Sequence, residues 1–94
     1  MEQSFLAYLR GRCRSLPKVR VGIGDDAAVL DPVEGQQVVC TDQIIDGVDF
    51  LSTELQSPDA KHSLADVGYK SMAINLSDIA AMGATPTAAL VTLA

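Results

Sequence analysis

The stretch Lys70-Ser71-Met72-Ala73-Ile74-Asn75-Leu76-Ser77-Asp78-Ile79-Ala80-Ala81-Met82-Gly83-Ala84 decides how this chain is read. Its Ala, Ile, Leu and Met content predicts a helix that is apolar nearly all round, and such a helix is expected to be buried. Ser71, Asn75 and Asp78 recur at i, i+4 and i+7, so they share one face. A carboxylate on a buried helix must find a cation, a donor or water, because an unpaired buried charge is very costly. Asp78 therefore marks a hydrogen bond to a loop, a pairing with Lys70, or a ligand site.

Working outward, the helix is expected to begin between Ser63 and Asp66, both suitable N-caps. Gly83 suits the position just past its end, and Pro86 follows. Residues 2–13 predict a first helix, with Phe5, Leu6 and Leu9 on one face. Residues 15–20 form a loop around Pro17, residues 21–24 an extended Gly-interrupted segment, and residues 27–30 a short buried strand. Residues 31–35 read as a turn. A second strand is expected over residues 37–41 and an irregular segment over 44–51. A polar loop follows over 52–59, and a last apolar strand over 87–94. The pattern is α+β. The chain stops inside that last apolar run, so it reads as the N-terminal piece of a longer protein or as a strand that pairs with another chain's sheet edge.

Ninety-four residues allow one small domain or part of a larger one. Apolar residues make up 48%, but aromatics only 4%, so any core is aliphatic. The net charge is −5, and the cations crowd the start: Arg10, Arg12, Arg14, Lys18 and Arg20, followed only by Lys61 and Lys70. The acidic remainder excludes a nucleic-acid groove and suits a protein that meets anions through metal ions. There is no signal peptide and no apolar run of transmembrane length, so the chain is expected to be cytoplasmic, with no membrane contact. Cys13 and Cys40 form no disulfide framework or metal pattern.

Three acidic spots can carry chemistry. In Gly22-Ile23-Gly24-Asp25-Asp26-Ala27 two glycines allow a tight turn that presents carboxylates; an ordinary Asp turn is the plainer reading. Thr41-Asp42 closes an apolar strand, where a hydroxyl beside a carboxylate offers two hard oxygens suited to Mg²⁺; a strand-ending Asp is the alternative. Asp78 is the third. Together they could form a polyphosphate clamp, since Mg²⁺ takes one or two carboxylates per ion and completes its shell with water and phosphate. No Walker A or protein-kinase signature is present. The single histidine, His62, lies in a polar loop, which leaves no Ser-His-Asp triad, Cys-His pair or zinc site.

At these residues the chain resembles the thiamine-monophosphate kinase family, within the aminoimidazole-ribonucleotide-synthetase-like superfamily. The resemblance rests on Gly22 to Leu30, on Thr41-Asp42 with Gly47-Val48-Asp49-Phe50-Leu51, and on Gly68 to Pro86. Asn75-Leu76-Ser77-Asp78-Ile79-Ala80-Ala81-Met82-Gly83-Ala84 is its most specific part. It implies an N-terminal ATP- and Mg-binding domain over residues 1–94, with a mixed or antiparallel sheet packed by the long helix and shared across a homodimer. It implies ATP-dependent phosphorylation of thiamine phosphate to thiamine diphosphate, with several Mg²⁺ ions and ATP as co-substrate. By position, Asp26, Thr41, Asp42 and Asp78 are the implied magnesium ligands. Asp49 stands where the family commonly has a substrate-contacting histidine and is the implied substrate contact, while Cys40 replaces a frequent hydroxyl side chain. Ser71 and Asn75 take supporting roles. The family's Gly-Gly-Asp motif and C-terminal domain lie beyond these residues, so the segment alone is expected to be inactive. The competing readings are a sister enzyme of the hydrogenase-maturation or selenophosphate-synthetase type, and a non-catalytic metal-binding or dimerisation module.

Overall fold

Among the described residues, two helices and a hairpin of minimal length are the main elements, with one further helical turn between the hairpin and the second long helix. The structure, a computed structural model, describes residues 2–13 and 16–93; Arg14, Ser15 and Ala94, to which the sequence assigned a charge, a loop start and a strand end, lie outside the described residues. In order the elements are α1 (Glu2–Arg12), β1 (Val19–Val21), β2 (Val29–Leu30), α2 (Ser52–Leu55) and α3 (Leu64–Ala81), an α+β content. The chain divides into two units, one of Met1–Gln37 with Thr87–Ala94 and one of Val38–Pro86.

In the first unit, α1 places Arg10 and Arg12 in its last turn, where cations complement the carbonyl end of a helix. Of its expected apolar face, Leu9 is half-buried, while Phe5 and Leu6 remain exposed. The strands β1 and β2 pair antiparallel, Val19 opposite Leu30 and Val21 opposite Val29, with a register shift between Val19 and Val21. A further bond from the Asp31 N–H to the Lys18 carbonyl (2.8 Å) extends the ladder. Across the same end, the Arg20 guanidinium engages both Asp31 carboxylate oxygens, at 3.1 and 3.3 Å. The acidic Gly22–Asp26 sequence is thus the tip of a β-hairpin.

In the second unit, α3 is fixed at both ends. Ser63 and Asp66 form a reciprocal capping box: the Ser63 side chain accepts from the Asp66 N–H, and the Asp66 carboxylate accepts from the Ser63 N–H at 2.8 Å. At the other end Gly83 adopts φ +68°, its N–H bonds to the Ala80 carbonyl, and the Ala84 N–H reaches back to Ile79 at 3.1 Å. This is a Schellman closure, and the left-handed φ explains the glycine. The half-buried positions Val67, Ser71, Ala73, Ile74, Asn75 and Ile79 lie mainly along one side.

Several expectations are corrected. None of the described residues is buried, so α3 is not a buried helix; Asp78 is exposed. The expected strand at 27–30 shortens to Val29–Leu30, and β1 begins at Val19 inside the expected loop. The polar loop at 52–59 opens with the helical turn Ser52–Leu55. Residues 37–41 and the described residues 87–93 form no strand. Their apolar composition is right for a strand, but a strand exists only where a neighbour receives its N–H and C=O groups. Among the described residues neither run has that neighbour, and Val39 and Leu90 stand 86% and 90% exposed.

Candidate functional site

The hairpin tip sorts its two aspartates. The Asp25 Oδ1 accepts the N–H of Asp26 at 2.7 Å, a local turn bond that commits Asp25 to the backbone. Both aspartates are exposed, and no side-chain hydrogen bond engages the Asp26 carboxylate among the described residues. The turn is held from outside by Arg10, whose Nη2 donates to the Gly24 carbonyl at 2.9 Å. Gly24 sits at φ +112°, a conformation side-chain-bearing residues avoid.

In the second unit, α3 and the 40–42 segment meet. The Cys40 Sγ lies 3.7 Å from both the main-chain oxygen and the Oδ1 of Asn75. The Asn75 Nδ2 in turn donates to the Ser71 carbonyl at 2.9 Å. Asn75 therefore orients itself on its own helix and receives the segment that leads directly into Thr41 and Asp42. These two, with Gln43, line a hollow of about 280 Å³. The Asp42 Oδ1 accepts the Gln43 N–H at 2.9 Å. Asp78 follows Asn75 by three residues on α3 and is exposed. Lys70 is not its partner: its ammonium donates to the Asp49 carbonyl at 3.4 Å.

Asp49 belongs to a loop tied to itself. Its Oδ2 accepts the Ile45 N–H at 2.8 Å, its own N–H bonds to the Ile45 carbonyl at 2.9 Å, and the Gly47 N–H bonds to the Phe50 carbonyl at 2.7 Å. Asp46 closes the loop by accepting from the Ser52 N–H at 2.9 Å and from the Ser52 hydroxyl. The Ser52 hydroxyl first, then the Ser52 N–H, hold the Asp46 carboxyl below its ordinary value of 3.8. Ser52 opens α2, whose N-cap residue Leu51 has no capping side chain, so Asp46 supplies the missing acceptor from six residues away. The irregular segment 44–51 and the polar loop from Ser52 do not by composition disclose this clasp between Asp46 and Ser52. An acid ahead of an uncapped Ser-Thr-Glu start was the available signal.

The donors fit magnesium by type: three carboxylates and one hydroxyl are hard oxygen ligands, while the Cys40 sulfur is occupied by Asn75. Among the described residues, no group of three or more His, Cys, Asp and Glu side chains is gathered into a metal-holding cluster. Asp26 belongs to one unit, and Thr41, Asp42 and Asp78 to the other. Magnesium commonly keeps water and substrate oxygens and takes only one or two carboxylates, so a closed protein cage is not its usual site.

The described residues are α+β and present Asp26 at a hairpin tip, Asp42 in an irregular segment and Asp78 on a capped helix. The family follows from comparison: the chain belongs to the family described as AIR synthase related protein, N-terminal domain, whose model matches residues 24–94. It is similar to the thiamine-monophosphate kinase of Rhodopirellula baltica, with 65% identity over all of this chain and 30% of that protein. It is similar to the enzyme of the same name from Bacillus subtilis, with 47% identity over 81% of this chain and 22% of that protein. The Escherichia coli K12 enzyme of that name is 44% identical over 90% of this chain and 24% of its own length. The chain thus spans less than a third of the length of the curated relatives it matches. No solved structure matches it. Among the described residues no helix is long and apolar enough to cross a membrane.

Proposed function

We propose that the protein to which this chain belongs transfers the γ-phosphoryl group of ATP to thiamine phosphate, forming thiamine diphosphate. The similarity to thiamine-monophosphate kinase across the whole chain, at 65% identity, is the observation that carries the substrate and the reaction. The hard-oxygen character of the exposed donors supports magnesium as the ion. Asp26, Thr41, Asp42 and Asp78 are the proposed ligands, and Asp49 the proposed substrate contact.

The chemistry agrees with a site that has no histidine. The acceptor is a phosphate monoester whose second pKa is about 6, so its attacking oxygen is already largely ionised near neutral pH. Little general-base help is needed. The obstacle is the repulsion between two polyanions, and bound Mg²⁺ supplies the neutralising charge and the in-line alignment. The chain's own residues orient the donors: Asp25 closes the hairpin tip beneath Asp26, and Asn75 seats the segment leading into Thr41 and Asp42. One oxygen of Asp49 is committed to the Ile45 N–H, which fixes the carboxylate plane and leaves the other for a cationic ring of thiamine.

We further propose a cytoplasmic homodimer in which apolar segments such as residues 87–93 pair with a second copy, and a lack of turnover by the 94-residue segment alone. The test is product formation by the full-length protein given ATP, Mg²⁺ and thiamine phosphate. Magnesium-dependent thiamine diphosphate is the expected product; its absence overturns this reading.

A further inference from the structure

The hairpin tip that presents Asp26 is fastened by a residue from a separate element. Arg10, in the last turn of α1, reaches fourteen positions along the chain to donate to the Gly24 carbonyl at 2.9 Å. The fit is close: a Cβ built on Gly24 overlaps the Arg10 guanidinium, and Gly24 is already at φ +112°. Glycine is required by the backbone conformation, while a side chain at this position would displace the flexible end of Arg10. The neighbouring cation behaves differently. Arg12 lies over the Tyr8 ring at 5.1 Å and stays on its own helix.

The bond has a direction that matters for the carboxylate. The Gly24 carbonyl is fixed from outside by Arg10, and the Asp26 N–H is fixed from inside by Asp25. The backbone between them has its first acceptor and its last donor both engaged. We propose that Arg10 is a positioning residue: it sets the Gly24–Asp26 backbone and thereby aims the Asp26 carboxylate for a divalent cation. This rests on the reading of Asp26 as a metal ligand. The guanidinium suits the task because its planar fork loses less freedom per hydrogen bond than a lysine ammonium does. As a bare charge near a cation site, Arg10 should weaken metal binding; as a clamp, it should strengthen it. The two roles have opposite signs.

The test uses the full-length protein with Mn²⁺ as the probe, following free Mn²⁺ by electron paramagnetic resonance, and the Mg²⁺ dependence of turnover as a second readout. Arg10→Ala and Gly24→Ala are each expected to weaken Mn²⁺ binding about fivefold, the size expected for losing one charge-assisted hydrogen bond at an exposed site. Both should raise the Mg²⁺ concentration for half-maximal turnover by a similar factor, with kcat at saturating Mg²⁺ within about twofold. Arg10→Lys, which keeps the charge and one donor, should recover most of the affinity and serves as the informative variant if alanine misfolds. Unchanged or tighter Mn²⁺ binding in Arg10→Ala, while Asp26→Asn weakens it, overturns the clamp alone, whatever Gly24→Ala does. Unchanged binding in Asp26→Asn overturns the ligand assignment beneath it.

Discussion

The hairpin tip at residues 22–28 and the loop at residues 45–52 both carry a pair of aspartates, and they are held in opposite ways. The tip is held by partners far along the chain: Arg10 on the Gly24 carbonyl, and Arg20 on Asp31 at the hairpin stem. The loop is held mainly from within, through Asp49 on the Ile45 N–H and Asp46 on Ser52, with one longer contact from Lys70 to the Asp49 carbonyl. The tip therefore depends on cations and on the placement of α1. The loop depends on acceptors supplied by its own aspartates. At the tip Asp25 accepts from the backbone while Asp26 is the proposed ligand; in the loop Asp46 and Asp49 both accept from backbone N–H groups, and Asp49 is also the proposed substrate contact.

The sharpest way to break this comparison is within the pairs. Asp26→Asn in the full-length protein is expected to cut kcat/KM about 100-fold, the scale of losing one group that stabilises charge in the transition state. Asp25→Asn retains an acceptor for the Asp26 N–H and is expected to cost less than about threefold, because a neutral acceptor keeps most of such a bond. Steady-state kinetics on the two proteins checks the contrast. Equal losses would remove the division of labour at the tip.

A smaller effect is expected at the Asp46 clasp. Asp46→Ala should raise the exchange rate of the Ser52 amide by about five- to tenfold, read by hydrogen-exchange mass spectrometry. The pH dependence follows from the lowered Asp46 carboxyl, whose first cause is the Ser52 hydroxyl. A group lowered in the folded state stabilises fully above its unfolded value and loses that contribution as pH falls through the folded value. Ser52 protection should therefore be flat from neutrality to about pH 5 and fall below about pH 4. Protection that survives at pH 2 would show that the carboxylate is not what holds the loop.

At the helix, Ser63→Ala should cost about 1 kcal/mol of local stability, the usual value of an N-cap, and show as faster exchange in the first turn of α3. The smallest expected effect is at the hairpin stem. The Arg20–Asp31 pair is 72% and 33% exposed on its two side chains, so it contributes on the order of 0–1 kcal/mol and weakens with salt. Raising NaCl from 0.05 M to about 1 M should loosen the hairpin amides by less than about threefold and leave the 45–52 loop unchanged. A larger loosening of the loop than of the hairpin would reverse the comparison.

What the residues disclosed depended on how local the cause was. The limits of α1 and α3 were legible, because Ser63, Asp66 and Gly83 act within one turn of the ends they define. The strands were legible only in part: the one expected at 27–30 shortens to Val29–Leu30, and residues 37–41 and 87–93 have strand composition but no ladder partner among the described residues. Asp78 was expected to be a buried charge because its helix is apolar, but burial is a property of what packs against a helix, and here Asp78 faces solvent. For the proposed site, the residue types mark Asp26, Thr41, Asp42 and Asp78 as hard-oxygen donors, and among the described residues no metal-holding cluster gathers them. The supports were not: Arg10 on Gly24 and Asp46 on Ser52 join residues that no periodicity connects.

The central claim is that the exposed aspartates serve magnesium-assisted phosphoryl transfer to thiamine phosphate. The most direct measurement is thiamine diphosphate formation by the full-length protein across a Mg²⁺ titration, beside Asp42→Asn and Asp78→Asn. Mg²⁺-dependent product is expected from the unaltered protein, with a loss of about 100-fold in each variant. Product formation that ignores Mg²⁺, or that both variants sustain undiminished, would contradict it.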